Sequence, residues 1–324
     1  MNTKIVPQIL ETTYKGVAAI SLETELMKVI VVPEIGAKIV SLFYKPTQKE
    51  WLLDSGQRPF LPLGVDALFE KSDMSGWDEC FPTIDACKYP LQGKHYGNLL
   101  PDHGEVWSLP WHAAIEPESL NLKVKGSCLP YVFQRKMSFI ADGVMRLEYE
   151  VTNLSDEDLA MMWTAHPQFI ATSDMAIHLP EAIKQMICVH GGNSLVANET
   201  VYNWPIASVS GQDKHLDTMD FGVEQDSRKL YYAGEVPEGW SGLSCSKSAD
   251  YLLFQVSQEQ VPYLGIWVDE KHYNDRITCA LEPSSGYYDS LAAAVANGKS
   301  ALVLAGKTLT WQLDVSLGNG DFPI

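Results

Sequence analysis

Three polar side chains have the chemical types and the sequence contexts that proton transfer requires. Glu282 interrupts an otherwise apolar strand, where a buried carboxylate without a partner is costly. His166 follows an apolar strand and precedes Pro167, and His103 lies next to Asp102. Histidine titrates near neutral pH, and partial burial can raise the pKa of a glutamate toward that range. These residues could therefore supply the acid and the base of a reaction that moves one proton onto an oxygen and another off it.

Each of these residues also has a purely structural interpretation. His103 could be a loop histidine bonded to its neighbour Asp102, and His166 could be a satisfied core histidine. Glu282 could be one member of a structural ion pair, with Arg276 as its partner. For Glu282 we favour a functional role, because carboxylates embedded in strands often have perturbed pKa values.

Aromatic side chains near these residues suit the apolar faces of sugar rings. Trp77, Trp107, Trp163 and Trp267 are the candidates, and ordinary core packing is the alternative for each of them. We predict that Trp267 and the carboxylate of Asp78 contact the substrate, together with His103.

Several reaction classes lose their usual sequence support. The chain contains no G-x-G-x-x-G that opens a helix, no glycine loop followed by a Walker lysine, no G-x-S-x-G and no H-E-x-x-H. The 24 Lys and Arg residues against 41 Asp and Glu residues give a net charge of −17, which argues against binding to nucleic acid or to an anionic membrane. No segment approaches the ~20 apolar residues of a membrane span.

The cysteines and the N-terminus indicate a reducing compartment. The six cysteines include no C-x-x-C pair, and their spacing fits neither a zinc site nor a disulfide framework. Scattered free thiols are typical of reducing conditions. The first residues lack the apolar run of a signal peptide. We therefore predict a cytoplasmic protein.

The elements that must position the polar residues follow a period of two. Residues 120–124, 131–139 and 144–151 alternate between apolar and polar side chains, which predicts three consecutive antiparallel strands. Residues 309–315 repeat the pattern. Further strands are predicted at 15–22, 26–33, 37–44, 158–165, 251–257, 263–268, 276–282 and 301–305.

Helices are predicted in only two places, at 288–297 and, as a short helix, near 64–72. Residues 183–240 have the weakest pattern and are interpreted as long loops with short strands. Many strands with few helices predict an all-β protein, a large antiparallel β-sandwich. Because no linker divides the chain, we expect a single domain over residues 1–324.

The segments that carry these residues resemble the galactose mutarotase (aldose 1-epimerase) family in order and spacing. The resemblance runs over nearly the whole chain. It is carried by residues 36–42, 50–52, 76–82, 102–104, 166–169, 282–286 and 304–306.

The resemblance implies a supersandwich of antiparallel strands and an isomerase that needs no metal and no organic cofactor. It assigns Glu282 as the base that removes the anomeric proton and His166 as the acid that protonates the ring oxygen. His103 would bind and orient the sugar. Opening of the ring, rotation about C1–C2 and closure on the other face would then interconvert the α and β anomers of a small sugar.

Two other classes of function remain open from the residues themselves. If residues 103–105 form a strand, His103 and Glu105 lie on one face and, with His166, have the composition of a non-haem iron site. The same cleft could also belong to a carbohydrate-binding protein without catalytic activity.

Overall fold

A computed structural model describes residues 5–222 and 225–324, and strands dominate the described chain. The first strands are β1 Gln8–Tyr14, β2 Val17–Glu23, β3 Met27–Val32, β4 Lys38–Tyr44, β5 Lys49–Glu50, β6 Trp77–Cys80, β7 Cys87–Lys88, β8 Leu99–Leu100, β9 His112–Ile115, β10 Ser119–Lys125, β11 Tyr131–Ala141, β12 Val144–Asn153, β13 Leu159–Met161 and β14 Thr164–Pro167. The others are β15 Phe169–Ile170, β16 Met175–His178, β17 Gln185–His190, β18 Thr200–Asn203, β19 Ile206–Val209, β20 Gln212–His215, β21 Asp226–Tyr231, β22 Trp240–Cys245, β23 Asp250–Val256, β24 Tyr263–Glu270, β25 Ile277–Ser284, β26 Ala301–Val303 and β27 Thr308–Asn319.

Helical structure in the described residues is limited to two short segments. The α-helix α1 covers Leu291–Ala296, and its N-cap Ser290 accepts a hydrogen bond from the backbone N–H of Ala293. Gly298, with a positive φ of 66°, follows its end. A single turn of 3₁₀ helix covers Phe69–Lys71. Both predicted helices are therefore present, in shorter form.

Two antiparallel sheets form the sandwich. The larger has 13 strands, with a main path of β1-β2-β3-β4-β6-β14-β25-β24-β21-β17-β18, while β5 pairs with β4 and β15 with β25. The smaller has 8 strands in the order β16-β22-β23-β27-β12-β11-β10-β9. The predicted antiparallel β-sandwich is confirmed.

The alternating segments behave as the sequence predicted. Strands β10, β11 and β12 form consecutive antiparallel pairs, and β27 pairs with the other edge of β12. On β12, Met145, Leu147, Tyr149 and Val151 are buried, and the residues between them are partly or fully exposed. One face of the smaller sheet therefore packs inside the sandwich and the other meets solvent.

The segment interpreted as long loops contains a central strand. All six residues of β21 are buried, between β17 and β24 of the larger sheet. A strand covered on both faces does not alternate, so its pattern carries no period-two signal. Short strands were predicted within residues 183–240 and are present, but the pattern did not indicate that β21 is central to the larger sheet. The predicted strand at 158–165 is divided into β13 and β14.

A buried ion pair connects the two sheets. Arg135 of β11 donates from Nη1 to Glu79 Oε1 of β6 over 2.8 Å, and both side chains are fully buried. Tyr149 Oη donates to the same oxygen over 2.9 Å, and Trp163 Nε1 donates to Oε2 over 2.7 Å. Every carboxylate oxygen of Glu79 therefore has a partner.

The hydrophobic core is continuous across both sheets. One cluster of buried side chains extends from Ile20 to Leu317, and Phe254 of the smaller sheet packs 5.0 Å from Trp77 of the larger, between ring centroids. On this basis we propose that the chain folds as a single domain.

Replacing Arg135 by Met should leave the Glu79 carboxylate buried in the core without its counter-ion. We expect Arg135→Met to lower the free energy of unfolding by about 3–5 kcal/mol, as loss of one member of a buried pair does. The matched control is Lys136→Met on the same strand, because Lys136 pairs with Glu148 over 3.1 Å with both side chains 46% exposed. That change should cost no more than about 1 kcal/mol. Urea unfolding measures both, and equal effects would contradict the structural role of Glu79.

Candidate active site

The register of the larger sheet brings His166 beside Glu282. Strands β14 and β15 pair with β25 in one continuous antiparallel register, which places His166 opposite Glu282. The two side chains lie on the same face of the sheet, with His166 Nε2 3.8 Å from Glu282 Oε1. The two residues that the sequence predicted as acid and base are therefore neighbours.

A glycine on the next strand lets Tyr231 and Glu282 approach each other across β24. Gly265 of β24 lies opposite Glu282, and Tyr231 of β21 lies opposite Gly265. A Cβ at Gly265 would come within 2.8 Å of the Tyr231 ring and 3.2 Å of Glu282 Oε2. Lys229, two residues before Tyr231 on the same face, reaches across β24 and forms a buried ion pair with Glu282 Oε2.

The predicted ion-pair partner of Glu282 was wrong. Arg276 binds Asp54 instead, from Nη1 to Oδ1 over 2.6 Å near the surface. Lys229 was not among the predicted site residues because it lies within residues 183–240, the segment with the weakest pattern. The apolar and aromatic residues after it, Leu230 and Tyr231, were the available signal for a strand.

Each member of the buried pair favours the charged form of the other. Burial raises the pKa of Glu282 above its ordinary value, and the neighbouring Lys229 opposes that shift. Burial lowers the pKa of Lys229, but the charges of Glu282 and Asp289 more than offset this, so the pKa of Lys229 is raised. Glu282 Oε1 is buried and has no hydrogen-bond partner among the described residues, which is unusual for a buried polar atom.

His166 is a buried neutral imidazole. Burial lowers its pKa well below the ordinary value, and the charges of His103 and Lys229 lower it further. Its Nδ1 is buried without a hydrogen-bond partner. The interpretation of His166 as a satisfied core histidine therefore does not describe this ring.

His103 lies on the loop that faces these residues. Its Nδ1 is 2.9 Å from Asp102 Oδ1, and its ring stacks on Phe69 with centroids 4.1 Å apart. The ring of His166 lies 4.9 Å away. The contact with Asp102 expected for a loop histidine is present, and it orients the imidazole toward the cleft.

Asp78 lies behind the site. It is opposite His166 across β6 and β14, but its carboxylate Oδ2 lies 3.1 Å from Lys38 Nζ, and Lys38 also binds Asp73 over 2.7 Å. Burial raises the pKa of Asp78 to about 7. Asp78 is 1% exposed and is not among the described residues that line the cleft. Its position therefore gives no support to the predicted contact with the substrate.

A cleft of about 640 Å³ opens over these side chains, within the usual size range of ligand sites. Glu282, His166, His103 and Lys229 line it. Trp267 forms part of its wall, with its ring 5.7 Å from that of Tyr273. The other tryptophans considered for sugar contacts, Trp77, Trp107 and Trp163, are buried and do not line it.

Another cleft, of about 540 Å³, lies over the polar face of β10, β11, β12 and β27. Its lining includes solvent-exposed ion pairs such as that of Lys136 with Glu148. Perturbed titratable groups cluster at functional sites, and the cleft over the larger sheet contains them. We therefore take that cleft as the candidate active site.

The structure does not form the predicted iron site. Glu105 is buried elsewhere, where it accepts hydrogen bonds from the backbone N–H of Ser127 over 2.8 Å and from Tyr131 Oη over 2.7 Å. His103 and Gly104 have positive φ values of 59° and 70°, so this stretch is a turn and residues 103 and 105 do not share a face. Among the described residues, Cys80 clusters with His103 and His166, and one potential metal-ligand atom from each lies within 4.8 Å of the others. Burial raises the pKa of the Cys80 thiol well above its ordinary value.

Solved structures show which fold this chain shares. The Slr1438 protein from Synechocystis sp. PCC 6803 is 15% identical, with 99% of this chain and 100% of that chain covered and a TM-score of 0.70. A galactose mutarotase related enzyme from Lactobacillus acidophilus is 16% identical over 93% of this chain and 97% of that one, with a TM-score of 0.66. A galactose mutarotase-like protein from Lactobacillus casei is 17% identical over 93% and 100%, with a TM-score of 0.62.

The chain has the galactose mutarotase-like fold. The fold expected from the sequence resemblance is confirmed over nearly the full length of these neighbours. No protein-family model and no curated protein sequence matches the chain. No helix in the described ranges is long and apolar enough to cross a membrane.

The lowered pKa of His166 should make stability depend on pH. Below about pH 6.5 the unfolded chain protonates this histidine while the folded protein does not, so stability falls as the pH decreases from there. Removing the group in His166→Gln should flatten the slope of unfolding free energy between pH 5 and 6.5 by up to about 1.4 kcal/mol per pH unit. Urea unfolding at several pH values measures it. An unchanged slope would show that His166 titrates normally in the folded protein.

Proposed function

We propose that the protein is an isomerase of the aldose 1-epimerase type, which interconverts the α and β anomers of a small sugar. The observation that carries this proposal is the buried carboxylate of Glu282, whose Oε1 accepts no hydrogen bond from the described residues, in a cleft that His103 and His166 also line. The likeness in fold to a galactose mutarotase related enzyme supports it.

Glu282 is the proposed base. Its Oε1 takes the proton of the anomeric hydroxyl, the bond from C1 to the ring oxygen breaks as an acid in the cleft protonates that oxygen, and C1 becomes an aldehyde carbon. A raised pKa favours this role, because a base is most effective when its pKa is near the working pH. Rotation about C1–C2 and closure on the other face then give the second anomer.

The other cleft residues would bind and orient the sugar. Asp102 and Phe69 hold the ring of His103 at the mouth of the site, where it can contact sugar hydroxyls. The half-buried face of Trp267 suits an apolar face of a sugar ring. His166, next to Glu282, is placed to contact the ring oxygen, the position at which the sequence predicted a proton donor.

Proton movements suffice for this reaction, so the proposal assigns no cofactor. We also propose that the protein works in the cytoplasm. The structure contains six free cysteines, and such thiols are typical of a reducing compartment.

The wild-type protein should accelerate anomer exchange of at least one free sugar, and EDTA should leave the rate unchanged. A panel of aldoses screened by thermal shift identifies ligands, and NMR of freshly dissolved single anomers measures exchange. Loss of turnover with EDTA that a divalent ion restores would contradict the proposed proton-transfer mechanism. Binding without exchange would identify a carbohydrate-binding protein instead.

Glu282→Gln keeps the shape of the side chain and removes its basicity. We expect kcat to fall by ~10²–10⁴ while sugar binding persists. The same change leaves Lys229 buried without its counter-ion, which should cost about 3–5 kcal/mol of stability.

A double variant separates the two effects. Glu282→Gln combined with Lys229→Met removes both charges, so stability should return toward the wild-type value while turnover stays lost. Melting temperature and kcat are measured on both variants. Near-normal turnover in Glu282→Gln would show that Glu282 is a scaffold residue.

A further inference from the structure

Anomer exchange by acid and base needs an ionised base and a protonated acid at the same moment. His166 meets this requirement poorly. Burial disfavours the imidazolium form of His166 and also the ionised form of Glu282, so it opposes the state in which both are charged.

Lys229 has the opposite properties. Lys229 lines the cleft and its Nζ contacts Glu282 Oε2, while Glu282 Oε1 accepts no hydrogen bond from the described residues. The groups around Lys229 include Glu282 of β25, Asp289 beyond that strand and Cys80 of β6, and the centroid of the Tyr231 ring lies 5.4 Å from Nζ. His166 and Asp85 also lie close enough to feel its charge. The carboxylates of Glu282 and Asp289 favour the charged ammonium. A proton donor and a proton acceptor are thus already in contact.

We propose that Lys229 is the residue that donates the proton to the ring oxygen, an inference that rests on the proposed function. The anomeric oxygen and the ring oxygen are bonded to the same carbon, so acid and base must present their reactive atoms side by side. The carboxylate and the ammonium of the buried pair are in contact on one face of the sheet, and both residues line the cleft.

The step balances without any further reactant. Glu282 Oε1 takes the proton from the anomeric hydroxyl, the electron pair of that O–H bond forms the C1=O double bond, and the bond from C1 to the ring oxygen breaks. Lys229 donates a proton to the departing ring oxygen. The intermediate state holds an open-chain hydroxyaldehyde, a Glu282 carboxylic acid and a Lys229 amine. Closure on the other face returns both protons, so the pair is regenerated.

His166 then becomes a positioning residue. A neutral imidazole next to Glu282 can hold the ring oxygen or a neighbouring hydroxyl by a hydrogen bond without changing its protonation state. Together with His103, whose ring lies 4.9 Å away, it would fix the sugar over the pair.

Lys229→Arg is the sharpest test. Arginine keeps the positive charge beside Glu282, but a guanidinium does not give up its proton at accessible pH. We expect this variant to retain its melting temperature and its sugar binding while kcat falls by ~10²–10⁴. Full turnover in Lys229→Arg would overturn the proposal.

Lys229→Ala distinguishes an acid from a residue that merely keeps Glu282 ionised. If Lys229 serves the second purpose, raising the pH should deprotonate Glu282 in the variant and restore turnover. We expect no such recovery, and instead rescue by added methylammonium, which supplies a mobile acid to the vacated space. Recovery at high pH without the amine would overturn the proposal. Sugar binding measured by NMR shows whether Lys229→Ala is folded. If it is not folded, the turnover of Lys229→Arg decides whether Lys229 is the acid.

The pH profile of the wild-type enzyme provides a further readout. With Lys229 as the acid, kcat should stay level from about pH 7 to pH 9, because the pKa of the donor lies above that range. With His166 as the acid, kcat should fall steadily with rising pH over the same range. No exchange of any sugar by the wild type would overturn the proposed function itself. Exchange with a falling profile would overturn the role of Lys229 alone.

Discussion

The contact between Glu282 and Lys229 is the interaction on which the site depends. A fully buried carboxylate stays ionised only if a nearby positive charge offsets the loss of solvation. Lys229 provides that charge from two strands away, across β24, where Gly265 has no side chain beside Glu282. The strand register therefore brings the ammonium of Lys229 to Glu282 Oε2 on the side of the sheet where the cleft lies.

A comparison with Glu79 shows how this carboxylate differs from a structural one. Arg135, Tyr149 and Trp163 occupy both oxygens of Glu79, in the layer between the two sheets. Glu282, on the other face of the larger sheet, has an oxygen that accepts no hydrogen bond from the described residues. On β6 the alternation of the strand divides the two environments, with Glu79 in the sandwich core and Asp78 on the side of the cleft. The larger sheet therefore has a fully hydrogen-bonded buried carboxylate on one face and an incompletely bonded one on the other.

The sequence predicted the sandwich, and it singled out Glu282 as a candidate, because both depend on local pattern. The alternation in β12 survives folding unchanged, and Glu282 stands out in its apolar strand without any knowledge of the fold. The environments of Lys229 and Glu105 could not be predicted from local pattern, because they depend on other parts of the chain. Lys229 lies on a strand that is buried on both faces, so its sequence has no period-two pattern. Glu105 follows a turn at residues 103 and 104, a stretch that the iron-site alternative required to be a strand. Asp78 shares the correct face but is covered, a fact that only packing reveals.

The central claim is that the Glu282 site exchanges anomers, and two-dimensional exchange NMR on an aldose labelled with ¹³C at C1 tests it most directly. The account predicts cross-peaks between the α and β resonances with the wild-type protein, above the uncatalysed background. It predicts background intensity alone with the folded variant that carries both Glu282→Gln and Lys229→Met. Cross-peaks of equal intensity with both proteins would show that any exchange arises outside this pair and would contradict the account.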